Sequence, residues 1–258
     1  MSLFGFNYTK PGPGVDKNAP RKKGLARTIE LLGRDFGDYW KAGFLFGLCC
    51  LPAAFCIYSA AATGALVFVL AGGVCSALAG PTLTALYDTV LRTLRDEPGY
   101  WWHVYKRAYK RSFKASLLPG AVTGLLIGLE VYCFSAALST GQFSAGMLLA
   151  LLLSVFVLTA VCSSFWPQLA LLELPNATLL RNSVLLFFAF FPRAALAAML
   201  QLLYWGLIAL FVPVSLLPFC VTGFWLPVLA AGQAIYPALD KSFSIETTLA
   251  QQRETRSE

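Results

Sequence analysis

Charge is scarce in this sequence. Only 13% of its residues are Asp, Glu, Lys or Arg, against 57% hydrophobic, and its mean hydropathy is +0.65. A soluble domain carries about 25% charged residues, so the composition excludes an ordinary soluble globule. Histidine is almost missing, with His103 alone. None of the seven cysteines (Cys49, Cys50, Cys56, Cys75, Cys133, Cys162 and Cys220) forms a C-x-x-C pair. Zinc ligation therefore has no ligand set, and thiols within apolar runs do not build a disulfide framework. H-E-x-x-H, G-x-x-x-x-G-K-[ST] and G-x-S-x-G are all absent. Hydrolytic and nucleotide-driven mechanisms have little to work with. A non-enzymatic protein with no cofactor and no metal is expected, and any ATP-driven role needs a separate ATPase subunit. No apolar h-region precedes Gly43, so the first hydrophobic helix is expected to act as its own uncleaved insertion signal.

Three long runs dominate what is present. Residues 42–87 and 194–239 contain no charged side chain, and residues 115–172 contain only Glu130. One spanning helix needs about 20 apolar residues for a layer of about 30 Å. Each run is long enough for two spans and a turn, with breakers near 59–64, 139–146 and 213–218. The expected fold is all-α: six transmembrane helices as three hairpins, at about 42–58, 64–82, 117–138, 145–167, 194–212 and 217–237. A membrane barrel would need apolar and polar alternation, which 147–161 does not show. Before the first span, 1–24 reads as a Pro/Gly-rich basic tail and 25–40 as a short interfacial helix. The membrane domain is expected over 25–241, including amphipathic cytoplasmic helices within 82–115. A polar tail follows over 242–258, and a further cytoplasmic segment is expected over 174–193.

The twenty Lys and Arg residues sit on one side of this plan. Eight precede the first span, seven lie between the second and third, two between the fourth and fifth, and three after the sixth. The positive-inside bias places both termini in the cytoplasm of a multi-pass plasma-membrane protein. The net charge of +7 then reflects topology and anionic lipid rather than nucleic acid.

The stretch 80–116 carries seven of those cations, the histidine and a cluster of aromatics. From Tyr100 onward, Trp102, Tyr105, Tyr109, Phe113 and Ser116 recur at helical spacing. His103, Lys106, Arg107, Lys110, Arg111 and Lys114 occupy the rest of the wheel. Such a helix lies in the membrane interface, rings toward the acyl boundary and cations toward phosphate. Trp101, Trp102, Tyr105, Lys106, Arg107, Tyr109, Lys110, Arg111 and Lys114 are the candidate surface for anionic lipid or a partner protein.

Glu130 is the one carboxylate expected inside a span. Intramembrane carboxylates are costly and mark ion or substrate paths. Two readings stand: a group on such a path, or a hydrogen-bonded Glu near the outer interface. Gln201 and Tyr204 join it on such a path, and Gln201, Tyr204 or a backbone carbonyl is its partner in the second reading. Gly43 and Gly47 form one G-x-x-x-G, and Gly120, Gly124 and Gly128 form a double one. This spacing lets two helix backbones approach closely, within the chain or between copies in a homo-oligomer.

Several stretches resemble the YesL-like family, whose members are Gram-positive bacterial membrane proteins without an assigned activity. They are Leu3-Phe4-Gly5-Phe6 with KPGPGVDKNAP over 10–20, and Cys50-Leu51-Pro52. Gly80-Pro81 with Ala85-Leu86-Tyr87 is a third. Trp102-x-x-Tyr105-x-x-Ala108-x-Lys110-x-x-Phe113-Lys114 and Leu180-Arg181-Asn182 complete the set. Genes of that family often neighbour those for carbohydrate-uptake ABC transporters. The resemblance implies a non-catalytic accessory of carbohydrate (oligosaccharide) uptake. That accessory would contact a permease, ATPase or sensor through its cytoplasmic face. It carries over no catalytic residue, and Glu130 lies outside its pattern. The residues themselves leave two other readings open: a small-solute transporter or channel using Glu130, and a lipid-binding structural membrane protein.

Overall fold

The computed structural model describes residues 24–247 apart from Pro98, Gln142 and Phe143. The tail expected over 1–24, apart from Gly24, and 248–258 of the C-terminal tail lie outside the described residues. The chain divides into two compact units, Met1–Asp35 and Phe36–Glu258. In the first, the described part is the start of a helix, with Arg27 paired to Glu30 at 3.3 Å and Arg34 to Asp35 at 2.8 Å.

The described residues form helices and connecting turns. The helices are α1 (Leu25–Thr63), α2 (Leu66–Ser76), α3 (Ala79–Leu94), α4 (Trp101–Thr140) and α5 (Ala145–Leu171). They continue as α6 (Asn176–Ala189), α7 (Phe191–Leu210), α8 (Leu216–Thr222) and α9 (Trp225–Phe243). Four of them (α1, α4, α5 and α7) are long and apolar enough to cross a membrane. Two bent pairs, α2–α3 at 48° and α8–α9 at 57°, pass the same test taken together. Four to six candidate spans result, compatible with a multi-pass membrane protein. The interfacial helix expected over 25–40 is not a separate element, because α1 runs on through it.

The largest departure from expectation is α3. Residues 82–94 were expected as part of an amphipathic surface helix. Instead α3 is buried for most of its length, packed by α4, α5 and α9. Its small residues explain this. Gly80, Thr82, Thr84, Ala85 and Thr89 leave room for neighbours on every side, and each threonine hydroxyl bonds back to a carbonyl three or four residues earlier. The hydroxyls thus bury without needing an outside partner.

α4 joins the expected basic helix and the third span into one rod of 40 residues, about 60 Å at 1.5 Å per residue. That is about twice the thickness of an apolar layer. Pro119 interrupts α4 without breaking it. Proline offers no N–H, so the Ala115 carbonyl one turn earlier loses its donor. The Asn176 side chain supplies one, donating to Ala115 O at 2.8 Å. This bond ties the start of α6 to α4. A second core gathers Ala160, Leu186, Ala194, Ile235 and Leu239 from α5, α6, α7 and α9, and Ile245 closes it.

Candidate functional site

The charges of 80–116 separate into an inner and an outer set. Asp88 is one turn before Arg92 on α3, the spacing that lets side chains meet on a helix. Its carboxylate, about 3% exposed, accepts from Arg92 Nε at 2.8 Å. Arg92 Nη1 also donates to Glu97 at 3.1 Å, and Arg95 Nη2 reaches the same carboxylate at 3.3 Å. Asp96 takes a positive φ of 55° between them, a left-handed turn that Asp tolerates. The turn folds Glu97 back onto both arginines. Nearby on α9, Tyr236 donates to Glu246 at 2.8 Å, and the Glu246 N–H donates to Asp240 at 2.8 Å.

Arg111 belongs to both sets. Expected on the lipid or partner surface, it keeps 42% of its side chain exposed. Its guanidinium also donates to the Ala170 carbonyl at 2.6 Å and lies 3.6 Å from Asp88. Ala170 is in the last turn of α5, where carbonyls lack helical donors. A cation there satisfies one and complements the helix dipole.

The aromatic stripe of α4 is divided: Tyr105, expected on the lipid or partner surface, is turned into the protein, and Trp102 is not. Tyr105 is 4% exposed, Tyr109, Phe113 and Trp101 are half-buried, and Ser116 is fully buried. Trp102 alone of the stripe is exposed. Trp101 and Tyr105 lie 5.3 Å apart by ring centroids, and Lys41 Nζ sits 5.2 Å above the Trp101 ring. The helical period showed which residues share a face, but not whether that face met lipid or protein. The outer set remains: His103, Lys106, Arg107, Lys110 and Lys114 are exposed. None of the four Lys and Arg among them is ion-paired to a described residue.

Glu130 is half-buried on α4, and its Oε2 has no hydrogen-bond partner among the described residues. The partners expected for it are committed elsewhere. Gln201 donates to Ser163 Oγ at 3.1 Å. Tyr204 donates to the Gly223 carbonyl at 2.6 Å and bonds Thr222 Oγ1 at 2.9 Å. Tyr204 thus serves the α8–α9 break, whose freed carbonyls need donors inside an apolar layer. Trp40 Nε1 donates to Cys220 O and Trp225 Nε1 to Val221 O, both at 3.1 Å. Gly223 makes the turn at a φ of +47°, where a side chain would be strained.

The glycine motifs face two seams. On α4, Gly120 lies against Ser76 O and Gly80, Gly124 against Ser76, and Gly128 against Val69. On α1, Gly43 lies against Trp225 and Gly47 against the Phe224 ring. Among the described residues there is no cluster of three or more His, Cys, Asp or Glu able to hold a metal ion.

Sequence reasoning missed the inner network and the aromatic break. The spacing of Asp88 and Arg92 was a signal for the first. The second had none, because Trp40 and Cys220 are far apart in the chain. Residues 44–132, about a third of the chain, match the family described as a protein of unknown function, DUF624. No curated protein and no solved structure matches. The matched segment covers the Gly80 seam, the Asp88 network and the basic half of α4, and YesL-like proteins carry this same domain.

Proposed function

We propose that this chain is a six-span plasma-membrane protein, three hairpins with both termini cytoplasmic. In this reading it is a non-catalytic accessory subunit of a carbohydrate uptake system. The distribution of Lys and Arg supports the orientation. The resemblance to YesL-like proteins, together with the DUF624 match, suggests the context. One observation carries the docking role. At the charged end the carboxylates of Asp88 and Glu97 are turned inward onto arginines. Lys106, Arg107, Lys110 and Lys114 point outward with none of those acids beside them. A face sorted in this way favours an acidic surface on a permease, ATPase or sensor, because complementary charge steers and orients docking.

Affinity purification in mild detergent followed by mass spectrometry tests this. An ABC permease should copurify with the wild type and be lost from a Lys106, Lys110 and Lys114 triple Gln variant. A homogeneous, partner-free protein that itself moves sugar into liposomes would defeat the reading. That outcome would favour the second reading, a transporter that uses Glu130, supported by the partnerless buried Oε2. Glu130→Gln should then abolish flux.

A further inference from the structure

A cavity of about 430 Å³ opens beside α1 at the α8–α9 bend. Phe44, Leu51 and Ala54 form its α1 wall, and Phe219, Cys220 and Phe224 the other, with Gly43 and Gly47 between. The volume falls within the usual small-ligand range. Its chemistry is apolar throughout. The carbonyls that the break frees are already taken, Cys220 O by Trp40, Val221 O by Trp225 and Gly223 O by Tyr204. A polar ligand would find nothing to bond, whereas hydrocarbon would lose nothing.

The α1 wall continues a stripe of exposed apolar residues, with Phe44 at 58%, Leu51 at 60% and Phe55 at 69%. At the other end the stripe stops at Lys41, the last charge before the apolar run. Trp40, which lines the cavity, is its neighbour in the chain. Among the described residues Lys41 is held by an exposed contact of 3.4 Å to Asp38 and by the Trp101 ring. An exposed pair of this kind is weak, so the ammonium is available. The Lys41 side chain is 53% exposed, and a surface ammonium with donors to spare is what a phosphodiester requires.

We propose that the groove between α1 and the α8–α9 bend holds one acyl chain of a bilayer phospholipid, its phosphate received by the Lys41 ammonium. The site requires only that the protein resides in a bilayer and is independent of the accessory-subunit reading. The lipid would fill the seam between α1 and the bend, and a positive headgroup corner would favour anionic lipid.

Native mass spectrometry of the full chain in mild detergent, titrated with dioleoylphosphatidylglycerol, tests the site. The wild type should retain one lipid above the non-specific background. Ala54→Phe with Cys220→Phe fills the groove from two exposed positions and should weaken that retention more than about tenfold, since several buried methylenes are lost. Lys41→Gln should weaken it about fivefold, the size of one lysine's attraction to anionic lipid. A phosphatidylglycerol with a diazirine on its acyl chain, added to the wild type, should crosslink to residues 44–54 and 219–224. This map decides the matter even where the filled variant fails to fold. Unchanged retention in both variants, crosslinks spread evenly over the apolar helices, or a dimer seated on 44–54 would each overturn the proposal.

Discussion

At the α3–α4 seam, glycine brings backbone against backbone. At the α1–α9 seam, glycine brings backbone against an aromatic ring. Gly80 lies on the Ser116 carbonyl, and a Cβ on Gly120 would stand 2.9 Å from Ser76 O and 3.0 Å from the Gly80 Cα. Gly43 and Gly47 have the same spacing as Gly120 and Gly124, yet Gly47 meets the Phe224 ring, and Gly43 meets the Trp225 side chain with the Trp225 backbone N behind it at 3.3 Å. The first seam sits in the core, beside Asp88 and the buried face of α3. The second opens onto a groove. Within hydrocarbon, close packing rather than the hydrophobic effect drives helix association. The same motif therefore builds a rigid joint where its partner is main chain and a deformable one where its partner is a ring.

The largest effect is expected at Gly80. An added Cβ there would collide with the Ser116 carbonyl, and no side-chain change can relieve a main-chain clash. Gly80→Ala should cost about 3 kcal/mol or more, the top of the overpacking range, read as a large fall in Tm in detergent. Gly124→Ala separates the two kinds of contact. Its Cβ would meet the Cβ and Oγ of Ser76, so Ser76→Gly should restore much of the lost stability. If the same second change also rescued Gly80→Ala, the backbone account of that seam would be wrong.

Asp88→Asn comes next. It leaves Arg92 with Glu97 alone and removes the charge opposite Arg111. Breaking a buried pair by removing one member costs about 3 kcal/mol. Glu97 softens the loss, so the fall in Tm should be large but below that of Gly80→Ala. A shift no greater than that of an exposed control such as Lys110→Gln would show the network to be dispensable. Asn176→Ala is smaller again. It withdraws the donor to Ala115 O but also removes an Oδ1 that is buried without a partner. The net cost should be about 1 kcal/mol. Substituting Pro119 by Ala in that background should recover it, because Ala restores an N–H to the helix.

The same contrast explains what could be read ahead of the structure. The runs 42–87 and 194–239 without charge, and 115–172 with Glu130 alone, announce apolar helices, because hydrocarbon tolerates little else. Burial of α3 was hidden by three charges, Asp88, Arg92 and Arg95, whose neutralisation is partly local and partly supplied by Arg111 on another helix. The stripe of Tyr105, Tyr109 and Phe113 was legible as a face, but its partner is set by how α4 rotates against its neighbours. Tyr204 was read as a partner of Glu130 because both are polar in apolar surroundings. Its true demand comes from Gly223, a break that composition locates only approximately.

Gly47→Ala tests the deformable side of the comparison and should have the smallest effect. Its new Cβ would lie 2.8 Å from Phe224 Cε2, which is too close but is the edge of a ring rather than main chain. The ring adjoins the groove and can swing into it. Alanine also favours helix over glycine by about 1 kcal/mol, which offsets the cost of that motion. Tm should therefore move by no more than the equivalent of about 1 kcal/mol, while the displaced ring narrows the groove. If Gly47→Ala instead lost as much stability as Gly80→Ala, Phe224 would be locked in place. The α1–α9 seam would then be a second rigid joint, and its groove could not adjust its wall to a chain of hydrocarbon.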